Sequence, residues 1–271
     1  MNIFRFEVKR LFKSCLIWSL VCGALVFMFM AFFPSMMDSG ISELVQTKLG
    51  GFPDGLMEAF GLDDMIDFRD IIQYLAYTIQ YIGMAGAIYA AMLGVNALYD
   101  EEADGTIEFL YAQPISRNSI VIWKILSRLF IFFLFILIVG FITMASCIVF
   151  NVNDVNTMDI LMDVKSIFIG LFFSSTVFMA LGFGLSTVLK RGTSSTALSI
   201  GMFFITYIFG ILAKMRDSLK ILTYLSPFDY AFPRELVRNG WNLGYLLAGF
   251  IIILFSIIST FIIYNRKDMK I

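Results

Sequence analysis

Long apolar runs separated by shorter polar stretches dominate this chain. Six runs, approximately 16–33, 75–98, 129–150, 167–189, 197–213 and 243–264, stand out. A helix crosses the hydrocarbon core of a bilayer with about 20 mostly apolar residues, so the pattern predicts six transmembrane helices, the fifth being the shortest. Ahead of the first run, Arg5, Lys9 and Lys13 share one helical face, while Phe4, Val8, Leu11 and Phe12 share another. That pattern predicts an amphipathic helix over 1–15 lying in the membrane plane, with a plain basic topogenic tail as the alternative. The first run is longer than the apolar segment of a secretory signal and no A-x-A-like site follows it, which favours an uncleaved first span. The stretch 34–69 contains Gly50, Gly51, Pro53, Gly55 and Gly61 and is expected to hold short surface helices near 41–49 and 53–60. The stretch 214–242, with Pro227 and Pro233, is apolar enough to dip into the bilayer as a short re-entrant hairpin. No repeat or linker divides the chain, which reads as a single transmembrane domain over 1–271.

Composition agrees with this reading. The chain is 59% hydrophobic and 15% charged, with mean hydropathy +0.83, against about 45–50% and about 25% for soluble domains. The fold class is therefore an all-α polytopic membrane protein. Its cations are unevenly placed: Arg5, Lys9, Arg10, Lys13, Arg117, Lys124, Arg128, Lys190, Arg191, Arg266, Lys267 and Lys270 fall on the side of the termini. The first loop of the opposite side is acidic, with Asp38, Glu43, Asp54, Glu58, Asp63, Asp64, Asp67 and Asp70. By the positive-inside rule both termini are cytoplasmic in a multi-pass protein of the cell membrane. Trp18, Tyr99, Trp123 and Tyr264 fall near the inner interface and Tyr74, Tyr77, Trp241 and Tyr245 near the outer one, the depth that amphipathic rings prefer.

The candidate chemistry is sparse. Histidine is absent, which removes the commonest metal ligand and the commonest general base. Cys15, Cys22 and Cys147 have no metal-ligand spacing and read as small packing residues. No catalytic, metal or nucleic-acid site is expected. Within the six runs as bounded above there is no Asp, Glu, Lys or Arg, whereas ion-coupled carriers usually keep an ionisable group at membrane depth. No phosphate loop occurs; the nearest candidate, GLSTVLK at 184–190, lacks the second glycine and the Gly-Lys pair. If nucleotide drives this protein, another chain binds it, and a cytoplasmic surface must receive the force.

The segment 100–117, DEEADGTIEFLYAQPISR, suits that demand. Residues 106–112 form a plausible short helix with Asp104 as N-cap and Glu108 near its positive end. Ile107, Leu110 and Tyr111 lie on one side, Pro114 ends the helix, and Ser116 can cap the next. A solvated loop with acids for solubility is the plain alternative. Small residues at four-residue steps, Gly86, Ala90 and Gly94, and the pair Ala180 and Gly184, read as helix-packing or dimer faces. Gln80 and Asn96, the most polar residues of the second run, are candidates for a pathway or for interhelical hydrogen bonds. A cavity lined by some of the 30 Phe and 16 Met would suit hydrophobic or amphipathic cargo: a drug, a peptide or a lipid.

Glu101, Gly105, Thr106, Glu108, Pro114, Ser116 and Arg117 resemble, at matching spacing, the E-x-x-x-G-T-x-E and P-x-S-R elements between the second and third spans of ABC-2 permeases. The in-plane first helix, six spans and the Ser226-Pro227-Phe228 step before the last span are also similar to that family. One departure is Glu102, where an arginine is often found. The resemblance implies a cytoplasmic coupling helix, with Ile107 and Leu110 among its residues, docking a separate ABC ATPase subunit. It also implies a second cytoplasmic contact at Lys190 and Arg191, a pathway shared with a second copy or a homologous permease, and export. This chain would bind no cofactor, ATP and magnesium being held by the partner, and its remaining partners would be membrane lipids. The rival readings are a membrane anchor or sensor that moves no cargo, and an ion-coupled carrier.

Overall fold

Side chains at four-residue steps let two helices approach only if those side chains are small, and the two most enclosed helices meet on such a stripe. The computed structural model describes residues 3–38, 68–103, 105, 115–152, 154–190 and 192–266. In chain order it contains α1 (Ile3–Asp38), α2 (Ile71–Ala103), α3 (Arg117–Val149), α4 (Thr157–Ser186) and α5 (Ser195–Met215). Two 3-10 segments, Asp217–Leu225 and Pro227–Ala231, then lead to the short α6 (Pro233–Asn239) and to α7 (Leu243–Arg266). No strand occurs among the described residues, and six helices (α1 to α5 and α7) are long and apolar enough to cross a membrane. Each expected run lies within one of these six helices, apart from a residue or a few at the far ends of the third and fourth.

Polar residues set the helix starts. Asp70 accepts from the amides of Ile72 and Gln73 (2.8 and 3.4 Å), Asn156 from that of Met158 (3.1 Å) and Ser194 from that of Ala197 (3.3 Å). Ser116 caps α3 as expected, accepting from the Ser119 amide at 3.3 Å. Each side-chain oxygen satisfies an amide that the helix itself leaves without a partner.

The central pair is α2 and α4. A Cβ built on Gly94 would lie 2.1 Å from the Met179 carbonyl oxygen, and one on Gly182 would lie 2.8 Å from the Ala91 carbonyl oxygen. The helices therefore cross backbone on backbone. α1 and α3 pack along each other beside this pair, while α7 rests on α4 and α5 on α2. The small-residue faces are thus used within the chain. Ala90 and Ala180 are buried, Gly86 faces Phe135 of α3, and Gly184 looks toward Ser256 of α7. The closest approach between the two helices is made by Gly94, an expected residue, and on α4 it is Gly182, two residues from each of Ala180 and Gly184, that meets α2.

One expectation needs correction. The first 15 residues are not a helix separate from the first span, because α1 runs unbroken from Ile3 to Asp38, about 54 Å at 1.5 Å per residue. No glycine or proline precedes Gly23 to interrupt it. Side chains hold its first turns along α3: Phe4 packs near Trp123 and Phe130 (ring centroids 6.2 and 5.7 Å apart), and the Cys15 thiol donates to the Ile131 carbonyl at 3.4 Å. All three cysteines are buried and unpaired. Several of the tyrosines named for the interfaces are buried against neighbouring helices, among them Tyr74, whose hydroxyl donates to the Phe29 carbonyl at 2.8 Å.

The stretch before α7 folds back on the bundle, in keeping with the expected hairpin. Residues 226–233 are all buried. Phe228 sets its ring edge-on to Phe203 and Tyr207, and the Ser174 hydroxyl donates to the Pro227 carbonyl at 2.7 Å. Ser174 lies seven residues inside the start of the fourth expected run, a depth of about 10 Å along the helix. Lys214 closes this end by pairing with the buried Asp229 at 3.0 Å and covering the Phe232 ring at 4.3 Å. The helices expected near 41–49 and 53–60 lie outside the described residues.

The α2–α4 crossing yields a direct test. Gly94→Ala should lower stability by about 1–3 kcal/mol, the usual cost of overpacking, read as a depressed thermal midpoint in detergent. Gly201→Ala, whose added methyl meets nothing within 4 Å, should leave the midpoint unchanged. Equal midpoints for the two variants would contradict the crossing.

Candidate functional site

The segment singled out by sequence joins α2 to α3 at the end of the bundle where Ile3 and Arg266 also lie. Gly105 adopts φ +69° just past the last turn of α2, a left-handed conformation that glycine reaches without steric cost and that commonly terminates a helix. Thr106, Ile107, Glu108, Leu110 and Pro114 lie outside the described residues, as does Arg191. The elements on either side of them are described, and they form a connected polar layer.

The layer is built around buried charge. Lys124 and Arg128, one turn apart on α3 and counted in the sequence among the cations on the side of the termini, are 1% and 0% exposed. Between them sits Glu7 of α1, itself 2% exposed, with Oε1 3.2 Å from Lys124 Nζ and Oε2 3.0 Å from an Arg128 guanidinium nitrogen. Glu101, in the last turn of α2, forms a close ion pair with Lys124 from the other side. Lys124 Nζ also donates to the Ala97 carbonyl at 2.7 Å, and Arg128 to the same oxygen at 3.4 Å. Arg10 completes the set from the rim, 3.0 Å from Glu7, 3.3 Å from Asp100 and 3.6 Å from Glu101.

Three carboxylates thus face three cations, drawn from α1, α2 and α3. Charges taken out of water are tolerated only when paired and hydrogen-bonded. Once paired in a weakly screening interior, they resist separation far more than surface pairs do. The arrangement ties the three helices into one unit within a turn or two of residues 104–116.

Two further links extend the layer. The Tyr99 hydroxyl of α2 donates to the Thr193 carbonyl at 2.7 Å, joining α2 to the turn between α4 and α5 that begins at Lys190. Arg117 donates to the Tyr264 and Asn265 carbonyls at 3.4 and 3.2 Å, and the Asn265 amide donates to Asn118 Oδ1 at 2.7 Å. A cation at the carboxyl end of α7 suits the helix dipole.

The sequence-predicted residues therefore divide. Ser116 caps α3, Arg117 holds α7, and Glu101 turns inward. Lys190 is exposed on the turn tied to Tyr99, and Gly105 is exposed where α2 ends. Gln80 is fully buried and Asn96 half-buried in the interior of α2. Glu7 escaped sequence reading altogether. Its one signal is that it is the only acid before Asp38, set among Arg5, Lys9, Arg10 and Lys13.

The layer therefore joins α1, α2 and α3 to one another, to α7 and to the turn between α4 and α5, all beside the α2–α3 segment. The six long apolar helices beside it are those of a multi-pass membrane protein. The family model described as "ABC-2 family transporter protein" matches residues 1–269, and the chain belongs to that family. Its members are membrane permease subunits of ABC transporters, are not themselves catalytic, and normally work with ABC ATPase partners. No curated protein matches the chain.

The charge layer predicts an uneven mutational response. Glu7→Ala leaves two buried cations short of a carboxylate and should cost about 3–5 kcal/mol. Arg10→Ala, at the rim, should cost about 1 kcal/mol or less. Chemical denaturation of the detergent-solubilised chain checks both, and comparable losses for the two variants would contradict the burial of Glu7.

Proposed function

We propose that this chain is the permease subunit of an ATP-driven exporter, with both termini and the 104–116 segment in the cytoplasm of a cell-membrane protein. Two copies, or one copy and a homologue, form the pathway. Separate ATPase subunits dock on residues 105–114 and bind the ATP and magnesium. Glu108 and the adjoining Ile107 and Leu110 supply the docking face, and the Lys190–Arg191 turn supplies a second contact. The cargo is hydrophobic or amphipathic, drawn from the classes of drugs, peptides and lipids.

The observation that carries this reading is the ionic layer beside the segment. A docking loop on a loosely held helix end would bend under load. A loop whose flanking helices are joined through Glu7, Glu101, Lys124 and Arg128 moves those helices with it. When the ATPase subunits close, the load enters at the loop, tilts α1, α2 and α3 together, and reaches α4 through the Gly94–Gly182 crossing. Gln80 and Asn96 line the route only if this tilt uncovers them.

Glu101, which is turned inward, and Glu108, on the proposed docking face, give the test. Glu108→Lys should abolish copurification with the ATPase encoded beside this gene. Glu101→Gln should keep copurification yet lose most cargo-stimulated ATP turnover and transport. Retained export in both variants would contradict the reading. An ATPase that copurifies and turns over without any cargo flux would favour a non-transporting anchor instead.

A further inference from the structure

A groove of about 320 Å³ runs along the membrane-facing seam between α3 and α4. Phe133 and Phe172 close one end, and Met144 and Leu161 mark the other. From Phe133 to Met144 the groove follows α3 for about 17 Å, close to the depth of one leaflet of a hydrocarbon core about 30 Å thick. Gly140 keeps it open midway, where a larger side chain would fill it. The lining is apolar with one exception, Lys165.

Lys165 belongs to the same stripe of α4 as Leu161, Ile169 and Phe172, at steps of four, four and three residues, and its side chain is exposed. It lies two residues before the fourth expected run, so its stem follows the apolar wall while its ammonium reaches the interface. Among the described residues no carboxylate pairs with it. Asp163 is turned to another side of α4, toward a separate cavity shared with Asp70 and Arg234.

We propose that this groove is a binding site for one acyl chain of an anionic phospholipid, with the lipid phosphate paired to Lys165. The site lies in the leaflet at the Phe150–Asn156 end of the bundle. An apolar slot of one-leaflet length asks for a hydrocarbon chain, and a cation one turn inside its Leu161 end, whose stem extends toward the interface, asks for a phosphate. A second copy of this chain is a poorer occupant, since a two-fold contact through the groove would bring another Lys165 toward the first. The assignment stands independently of the docking segment.

The test uses the full chain, reconstituted in vesicles of equal phosphatidylglycerol and phosphatidylcholine, extracted in mild detergent and weighed by native mass spectrometry. The wild-type chain should retain phosphatidylglycerol in preference to phosphatidylcholine. Lys165→Gln should reduce that preference about fivefold, the weight of one interfacial cation. Leu137→Trp, which enlarges an exposed wall residue, should reduce retention of both lipids while the thermal midpoint holds. Equal retention of the two lipids by the wild type, or unchanged retention in both variants, would overturn the site. So would efficient disulfide cross-linking between copies carrying Ile169→Cys, which would make the groove a protein interface.

Discussion

Two cations buried one turn apart on a membrane helix must be neutralised by carboxylates brought from elsewhere in the chain. Lys124 and Arg128 impose that requirement, and Glu7 and Glu101 meet it from α1 and α2. Much of the architecture at this end follows. α1 continues unbroken along α3 at this end, where Glu7 reaches between the two cations. α2 reaches its last turn beside α3, because Glu101 must reach Lys124. The short link 104–116 then spans helix ends already fixed relative to each other, with Gly105 supplying the left-handed turn that ends α2.

The opposite end uses the same rule more sparingly. Lys214 and Asp229 form one pair there, sheltered by Phe232, and aromatic edges around Phe228 anchor the folded-back stretch. Between the two ends the bundle is held without charge. Gly94 and Gly182 allow α2 and α4 to touch through their backbones, and hydroxyls such as Ser174 satisfy a stray carbonyl. In lipid, where apolar contact gains nothing from expelling water, close packing and short polar links are the available means of association. The proposed coupling role asks for a close-packed central pair with a charge-linked end.

Apolar run length made the six helices legible, because a bilayer imposes a minimum span that few soluble patterns imitate. The folded-back stretch was legible too, from its two prolines and its apolar character. The continuity of α1 was not. Arg5, Lys9 and Lys13 do share an exposed face, as an in-plane helix would require, but an amphipathic pattern does not say what the other face meets. The opposite face carries Glu7, and its partner lies more than a hundred residues away. Ser116 and Gly105 were legible as punctuation, since capping and helix termination are local. Lys124 and Arg128 read as topology signals because a cation near a span end serves that purpose whether exposed or buried, and only tertiary placement separates the two. The small-residue stripes marked the correct helices and the closest approach, at Gly94, while on α4 the contact fell on Gly182 between the two residues expected, set by a crossing that one helix alone does not encode.

The measurement that bears most directly on this account is a distance across the charge layer during the working cycle. Spin labels on Lys9→Cys of α1 and Asn118→Cys of α3, both exposed positions, can be followed by double electron–electron resonance in the complex with its ATPase, without nucleotide and with ATP trapped. If Glu7 holds α1 and α3 as one body, the distance distribution stays narrow and unmoved between the two states, and Glu7→Gln broadens it. A shift of several ångströms on ATP binding with Glu7 intact would show that the helices move separately, and the layer would not be what transmits the load.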